Sequence, residues 1–324
     1  MKALVCEKYG PPDVLEYREV DKPAAGEGEV LVRVLAVAPN MADIHLLTSD
    51  IFLVRMTEGL FKPKRRILGT DIAGRVEAVG AGVTQFKPGD EVYGSVSRSG
   101  WGGFAEYVRA REDMLVIKPA NLSFEEAAAV PMAANTALQA LRDIGKIQPG
   151  KKVLINGASG GVGHFAVQLA KYFGAEVTAV CSSGKMEMVR ELGADHVIDY
   201  SKENFTRNGV KYDLILAANG YHPLRDYQQA LCPGGIYVMA GGKPAQMFEV
   251  MLLGSMMSSD GRKMVGMLEE PNQKDLAFMG DLLETGKIKV VIDRTYPLRE
   301  GAEALRYLGQ GHAMGKVVMK VGEN

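Results

Sequence analysis

Asn156-Gly157-Ala158-Ser159-Gly160-Gly161-Val162-Gly163 is the stretch whose reading decides the fold. It follows a compact apolar run, Lys152-Val153-Leu154-Ile155-Asn156. Beyond it Val162, Phe165, Ala166, Leu169 and Phe173 recur at helical spacing. A glycine-rich turn between a strand and a helix is the context a dinucleotide fingerprint requires. Gly160 lets the backbone approach a pyrophosphate, and Gly163 allows tight helix–strand packing. The helix N-terminus then offers N–H groups and positive dipole to the phosphates. The candidate phosphate-binding residues are therefore Ala158, Ser159, Gly160, Gly161, Val162 and Gly163. Ala158 stands where G-x-G-x-x-G has its first glycine, so the match is imperfect. A plain glycine-rich turn of another α/β fold is the competing reading.

Downstream, strand and helix keep alternating. Glu176-Val177-Thr178-Ala179-Val180 is the next strand, and Met186 to Leu192 makes a helix that stops at Gly193. Strands follow at residues 196–200, 213–217 and 235–239, and Met264–Leu268 reads as a sixth. Near-continuous apolar strands with intervening helices mean a parallel sheet covered on both faces. The end of the second strand bears on the nucleotide. An NAD site wants an acid there to accept hydrogen bonds from the ribose. This chain has Cys181-Ser182-Ser183-Gly184-Lys185 instead. The hydroxyls of Ser182 and Ser183 and the Lys185 charge suit a 2′-phosphate, and Tyr200, after the third strand, adds a hydroxyl. The expected cofactor is NADPH. The bland alternative makes Lys185 a solvated residue of a helix's first turn.

Upstream the texture differs. Residues 29–37, 71–80, 91–94, 104–108 and 114–117 read as short strands divided by glycine and proline turns, the pattern of a small bent barrel or sandwich. The change falls near Pro119. Past Pro271 come a helix around Asp275–Glu284 and strands at 290–292 and 316–319, a segment that can return to the first domain. The resulting division is a β-rich domain over 1–122, a dinucleotide-binding domain over 123–271 and a return over 272–324.

Bulk properties narrow the function. A length of 324 residues accommodates two domains at roughly 150 residues each. The 38 basic and 39 acidic residues leave a net charge of −1, with no bulk positive field for a nucleic acid or an anionic membrane. Lys62-Pro63-Lys64-Arg65-Arg66 is a local basic run. No apolar run reaches membrane-spanning length, and Met1–Cys6 leads into Glu7-Lys8 without a signal-peptide core. Cys6, Cys181 and Cys232 lie far apart, with no disulfide framework and no CxxC knuckle, which points to the reducing cytoplasm.

Taken together, the motifs resemble those of the medium-chain dehydrogenase/reductase superfamily, in its zinc-free NADPH:quinone oxidoreductase branch, over essentially the whole length. The carriers are Gly69-Thr70-Asp71-Ile72-Ala73-Gly74-Arg75-Val76 with Val79-Gly80, Phe86-Lys87-Pro88-Gly89-Asp90-Glu91-Val92, Gly102-Gly103-Phe104-Ala105-Glu106-Tyr107, Ala158–Gly163 and Gly315-Lys316-Val317-Val318. The resemblance implies a GroES-like catalytic domain and a Rossmann domain with a doubly wound parallel sheet. It also implies a cofactor in the cleft between them, a C-terminal return and a homodimer. It puts Thr136, Asn219, Ala240, Gly241 and Gly242 near the nicotinamide end of the cofactor, and Lys316 matches a conserved C-terminal lysine of the family.

Zinc-dependent relatives carry cysteine where this chain has Asn40, and Gly-His-Glu where it has Gly69-Thr70-Asp71. The chain also lacks the cysteines for their structural lobe. Without thiolates, and with one histidine, no tetrahedral zinc site is expected. Asn40-Met41-Ala42-Asp43-Ile44-His45 keeps an Asp-x-His pair, with histidine where many quinone reductases have tyrosine. Asn40, Asp43 and His45 are the catalytic candidates. Their plain alternatives are a turn-capping carboxylate for Asp43 and a loop histidine bonded to backbone for His45. Residues 46–66 read as a long active-site loop, whose Leu47, Phe52, Leu53, Met56 and Phe61 can line an apolar pocket or pack the loop. The leading expectation is metal-free, NADPH-dependent hydride transfer to a quinone or an α,β-unsaturated carbonyl. The rivals are an alcohol dehydrogenase and a crystallin-like protein that binds NADPH without turnover.

Overall fold

A computed structural model describes residues 1–49, 52–242 and 244–322. The chain divides into two units, one of Met1–Met132 with Pro271–Gly286 and Val290–Asn324, the other of Ala133–Glu270 with Lys287–Lys289.

The first unit begins with the antiparallel pair β1 (Lys2–Cys6) and β2 (Leu15–Glu19). The long strand β3 (Glu29–Ala38) keeps Val30, Val32, Val34 and Val37 in the core. Next come helices α1 (Met41–Thr48) and α2 (Phe52–Glu58), strands β4 (Asp71–Val79), β5 (Glu91–Ser95), β6 (Tyr107–Arg111) and β7 (Leu115–Ile117), and helix α3 (Phe124–Ala128). Residues 46–66, expected as a loop, thus contain the end of one helix and the whole of another. The missed signal is Asp43 at the third helical position, which accepts the backbone N–H of Asn40 at 2.7 Å and so starts α1. Leu47 lies in the core, while Met56 and Phe61 are exposed. The side chains of Phe52 and Leu53 lie outside the described residues. The strand expected at 104–108 forms instead at Tyr107–Arg111. Phe104 and Ala105 are fully buried, and the Phe104 backbone bonds to Leu4 and Leu68.

Helix α4 (Pro131–Leu138) begins in the first unit and enters the second at Ala133, continuing as π-helical turns to Ile144. The second unit then runs through β8 (Lys152–Asn156), α5 (Gly163–Tyr172), β9 (Glu176–Cys181), α6 (Met186–Glu191), β10 (His196–Asp199), β11 (Tyr212–Ala217), α7 (Leu224–Ala230), β12 (Leu231–Met239), α8 (Pro244–Met257) and β13 (Lys263–Gly266). Its six strands are parallel in the order β10-β9-β8-β11-β12-β13, the doubly wound arrangement whose order reverses between β8 and β11. Helix α5 buries every residue from Gly163 to Ala170.

The chain then returns to the first unit through α9 (Gln273–Glu284), β14 (Ile292–Pro297), α10 (Gly301–Gly309) and β15 (Lys316–Lys320). Strand β15 pairs antiparallel with β3, which makes the last strand a neighbour of the strand that leads to Asn40. The strand expected at 290–292 runs from 292 to 297.

Candidate active site

The described site residues fall into two groups, one in each unit. In the second unit the loop after β8 turns at Gly157, where φ is +81°. A Cβ there would sit 2.7 Å from Cβ of Asn219, so only glycine fits. The tight-turn glycine of the fingerprint is therefore Gly157, and Ala158 is an ordinary buried residue whose N–H bonds to Val180 O at 3.0 Å. A Cβ on Gly163 would strike Gly157 O at 2.1 Å, so this glycine lets α5 pack against the loop. Gly160, Gly161 and Val162 remain half-buried at the start of the helix. This glycine cradle at the strand-order reversal fits a pyrophosphate.

Asn219, Ala240, Gly241 and Gly242 lie just past the carboxyl ends of β11 and β12. Ala218 and Asn219 donate to Asn156 O, and Ala240 and Gly241 donate to Ala217 O. A Cβ on Gly241 would meet Ala218 O at 2.4 Å. Thr136 is nearly buried on α4. On the rim of β9, Ser182 and Lys185 are half-buried, Ser183 is exposed and Tyr200 is 57% exposed. The neighbouring strand supplies an acid that the second-strand rule did not reach: Asp199, at the end of β10, accepts the Ser183 hydroxyl.

The first unit holds a buried polar cluster. The Lys316 ammonium, on the first residue of β15, donates to Asn40 Oδ1 at 2.6 Å and approaches Pro39 O at 3.5 Å. Asn40 Nδ2 donates to Asp71 Oδ2 at 3.0 Å and to Ala38 O at 3.3 Å. Asp71 also accepts the N–H of Met132 at 3.0 Å and the Thr70 hydroxyl at 3.1 Å. Asp43 accepts the N–H groups of Asn40 and Gly69, the latter at 2.8 Å. Asp43, Thr70 and Asp71 are fully buried and Lys316 is 4% exposed. Burial pushes the Asp43 carboxyl up to about 7, against its two backbone hydrogen bonds and the pull of Lys316. Burial likewise raises Asp71 and lowers Lys316, and the opposite charges resist both changes. His45 stands half-buried on α1, and its carbonyl accepts the N–H of Ser49.

Within the first unit, Lys316 is thus bonded to Asn40, and its charge acts on the Asp43 carboxyl. Asp71 and Thr70 complete the cluster; they are not among the candidates the sequence offers, although they stand where zinc-dependent relatives carry histidine and glutamate. Sequence alone gives one local pointer to them, an acid at the head of a strand whose next three residues, Ile72, Ala73 and Gly74, are apolar or glycine. The donor set does not fit zinc. Where thiolate and imidazole would be needed there are an amide and a hydroxyl, and an ammonium already sits on the amide.

Residues 26–120 match the model of the alcohol dehydrogenase GroES-like domain, and residues 192–319 match that of the zinc-binding dehydrogenase. A chloroplast envelope quinone oxidoreductase homolog of Arabidopsis thaliana is 36% identical over 99% of this chain and 98% of its own length. An NADPH-dependent alkenal/one oxidoreductase of the same plant is 35% identical over 98% of this chain and 79% of its own length. Among solved structures, the quinone oxidoreductase from Coxiella burnetii matches with a TM-score of 0.89 at 30% identity, covering 99% of both chains.

Proposed function

The chain belongs to the medium-chain dehydrogenase/reductase superfamily, in its zinc-free NADPH:quinone oxidoreductase-like branch, and on that premise we propose how its residues share the work. It is an NAD(P)H-dependent oxidoreductase whose acceptor is a small molecule, a quinone or an α,β-unsaturated carbonyl. The observation that carries a metal-free reading is the Lys316 ammonium on Asn40, a buried cation bonded to the residue that stands where zinc-dependent relatives carry cysteine. The test is NADPH oxidation screened against quinones, enones and alkenals, alongside NADP+ reduction with simple alcohols, each with and without a chelator. Turnover of quinones and enones that survives chelation is expected. Loss of activity on chelation, or alcohol oxidation alone, would overturn it.

A dihydronicotinamide held by these residues would supply a hydride. In a conjugated carbonyl, addition at the β-carbon leaves negative charge on the acceptor oxygen, and a donor must meet that charge where it develops. His45 is the donor in this reading, because both amide hydrogens of Asn40 are already placed on Asp71 and Ala38. Asn40, Asp43 and Lys316 act as positioning residues. Asp43 starts the helix that carries His45, and Lys316 fixes Asn40 at that helix's N-cap. The glycine loop 157–163 takes the pyrophosphate. Thr136, Asn219 and Ala240–Gly242 take the nicotinamide end, and Ser182, Lys185 and Tyr200 face the adenosine 2′-phosphate.

The assembly in this reading is a homodimer. Strand β13 ends the six-stranded sheet with an open edge, and α8 presents exposed Phe248, Met251, Leu252 and Met256 beside it. No nucleic acid is expected as a partner, since Arg65 pairs with Glu58 and Arg66 with Glu7 within the basic run. No helix among the described residues is long and apolar enough to cross a membrane. The buried, unpaired thiols Cys6 and Cys181 suit a cytoplasmic home.

A further inference from the structure

Strands β9 and β10 run side by side, with Asp199 directly opposite Cys181. The chain leaves β9 through Ser182 and Ser183, and it leaves β10 through Tyr200, whose N–H donates to Cys181 O at 3.1 Å. Asp199 therefore lies on the rim that in the dinucleotide reading meets the adenosine ribose. Its carboxylate is 6% exposed. One oxygen accepts the Ser183 hydroxyl. The other accepts the Ser201 N–H at 3.0 Å and the Ser201 hydroxyl at 2.7 Å. Lys202, itself well exposed, approaches at 3.5 Å. The Ser183 and Ser201 bonds hold the carboxyl down to about 2, so it is charged at any working pH.

This geometry changes what Ser183 can offer. A hydroxyl has one proton, and that proton is on Asp199. Ser183 faces outward with lone pairs only, next to a full negative charge. A ribose 2′-hydroxyl can donate to such an oxygen, whereas a 2′-phosphate dianion brings only acceptors and charge of the same sign. Resting on the dinucleotide reading above, we propose that Asp199 is a specificity-determining residue: through Ser183 it favours the 2′-hydroxyl of NADH and opposes the 2′-phosphate of NADPH. Lys185 then works against a carboxylate that belongs to the third strand, not the second. The balance between them sets the coenzyme ratio. The NADPH advantage is smaller than the roughly 10- to 150-fold that a charge-assisted contact gives alone.

The experiment is calorimetric titration of the full chain with NADPH and with NADH, for wild type, Asp199→Asn, Asp199→Ala and Ser201→Ala. Each neutral replacement should tighten NADPH by about threefold or more while NADH is unchanged or weaker. Ser201→Ala removes one brace but keeps the charge, and should leave the ratio of the two affinities unchanged. Parallel changes for both nucleotides in the Asp199 variants, an unchanged ratio, or loss of folding in both would assign Asp199 to bracing the loop and overturn the proposal. Binding of neither nucleotide by the wild-type chain would overturn the dinucleotide reading itself.

Discussion

The Lys316 ammonium lies 2.6 Å from the side-chain oxygen of Asn40, although 276 residues separate the two in sequence. The contact exists because β15 pairs with β3 in the first unit's sheet. It places one cation among two buried carboxylates, Asp43 and Asp71. Removing the cation alone leaves both buried carboxylates without an opposing charge. Lys316→Met should therefore destabilise the protein by about 3–5 kcal/mol, read from denaturant unfolding. Adding Asp71→Asn should recover part of the loss, because it removes one uncompensated charge. A loss under about 1 kcal/mol in the single variant would show that the ammonium does not hold the cluster together.

Asp43 gives the protein a pH dependence of definite sign. Its carboxyl titrates near 7 in the folded chain and near 4 when unfolded, so folding favours the protonated form. That contribution is complete below about pH 4 and is lost as pH rises through 7. Asp43→Asn has no such titration, so the stability of wild type minus that of the variant should fall from pH 5 to pH 8. Urea unfolding at both values measures it. A difference that stays flat would mean that Asp43 titrates as an exposed carboxylate.

Much of the fold is legible in the chain because both domain textures rest on local patterns. The apolar strands β8 to β12 and the glycine turns between them need no distant partner to be read. What was missed depends on distance or on a single cap. Helix α1 reads as a loop until Asp43 is seen as its capping residue. Lys316 carries no local sign of its role, since its partner comes from the opposite end of the chain. Asp199 escaped because the acid rule names the second strand, and only the parallel pairing of β9 with β10 brings the third strand's acid to the same rim. In the glycine loop the positive φ falls on Gly157, one residue before the position that the G-x-G-x-x-G spacing marks at Ala158.

Gly157→Ala tests that register. The substitution forces a left-handed φ on alanine and drives its Cβ to within 2.7 Å of the Asn219 side chain. A cost of about 1–3 kcal/mol in stability follows, together with weaker NADPH binding. Ala158→Gly should do neither, since the Ala158 methyl is already accommodated. Fluorescence titration with NADPH distinguishes them, and equal binding by the two variants would put the critical turn elsewhere.

The exposed apolar residues of α8 predict the assembly. Leu252 is 72% exposed and Met256 is 79% exposed, on the helix that precedes edge strand β13. A double change, Leu252→Asp with Met256→Asp, should convert a dimer to a monomer at micromolar concentration in light scattering, with the monomer still folded by circular dichroism. A wild-type monomer under the same conditions would count against the dimer.

His45 and Asn40 should fail differently. If His45 meets the acceptor oxygen, His45→Phe removes a donor that acts as charge develops, at a cost of about 3 kcal/mol, or roughly 100-fold in enone turnover. Quinones are more reactive and need less help, so their loss should be smaller. Asn40 makes no such distinction. Its amide is bound to Lys316, Asp71 and Ala38, so Asn40→Ala loosens the whole cluster. It should lower turnover of both acceptors by similar factors and lower stability with them. The measurement is kcat for an enone and a quinone in each variant, once NADPH binding has been shown intact. Equal losses for the two acceptors in His45→Phe would move His45 from donor to positioning residue, and an enone-selective loss in Asn40→Ala would show that its amide reaches the acceptor after all.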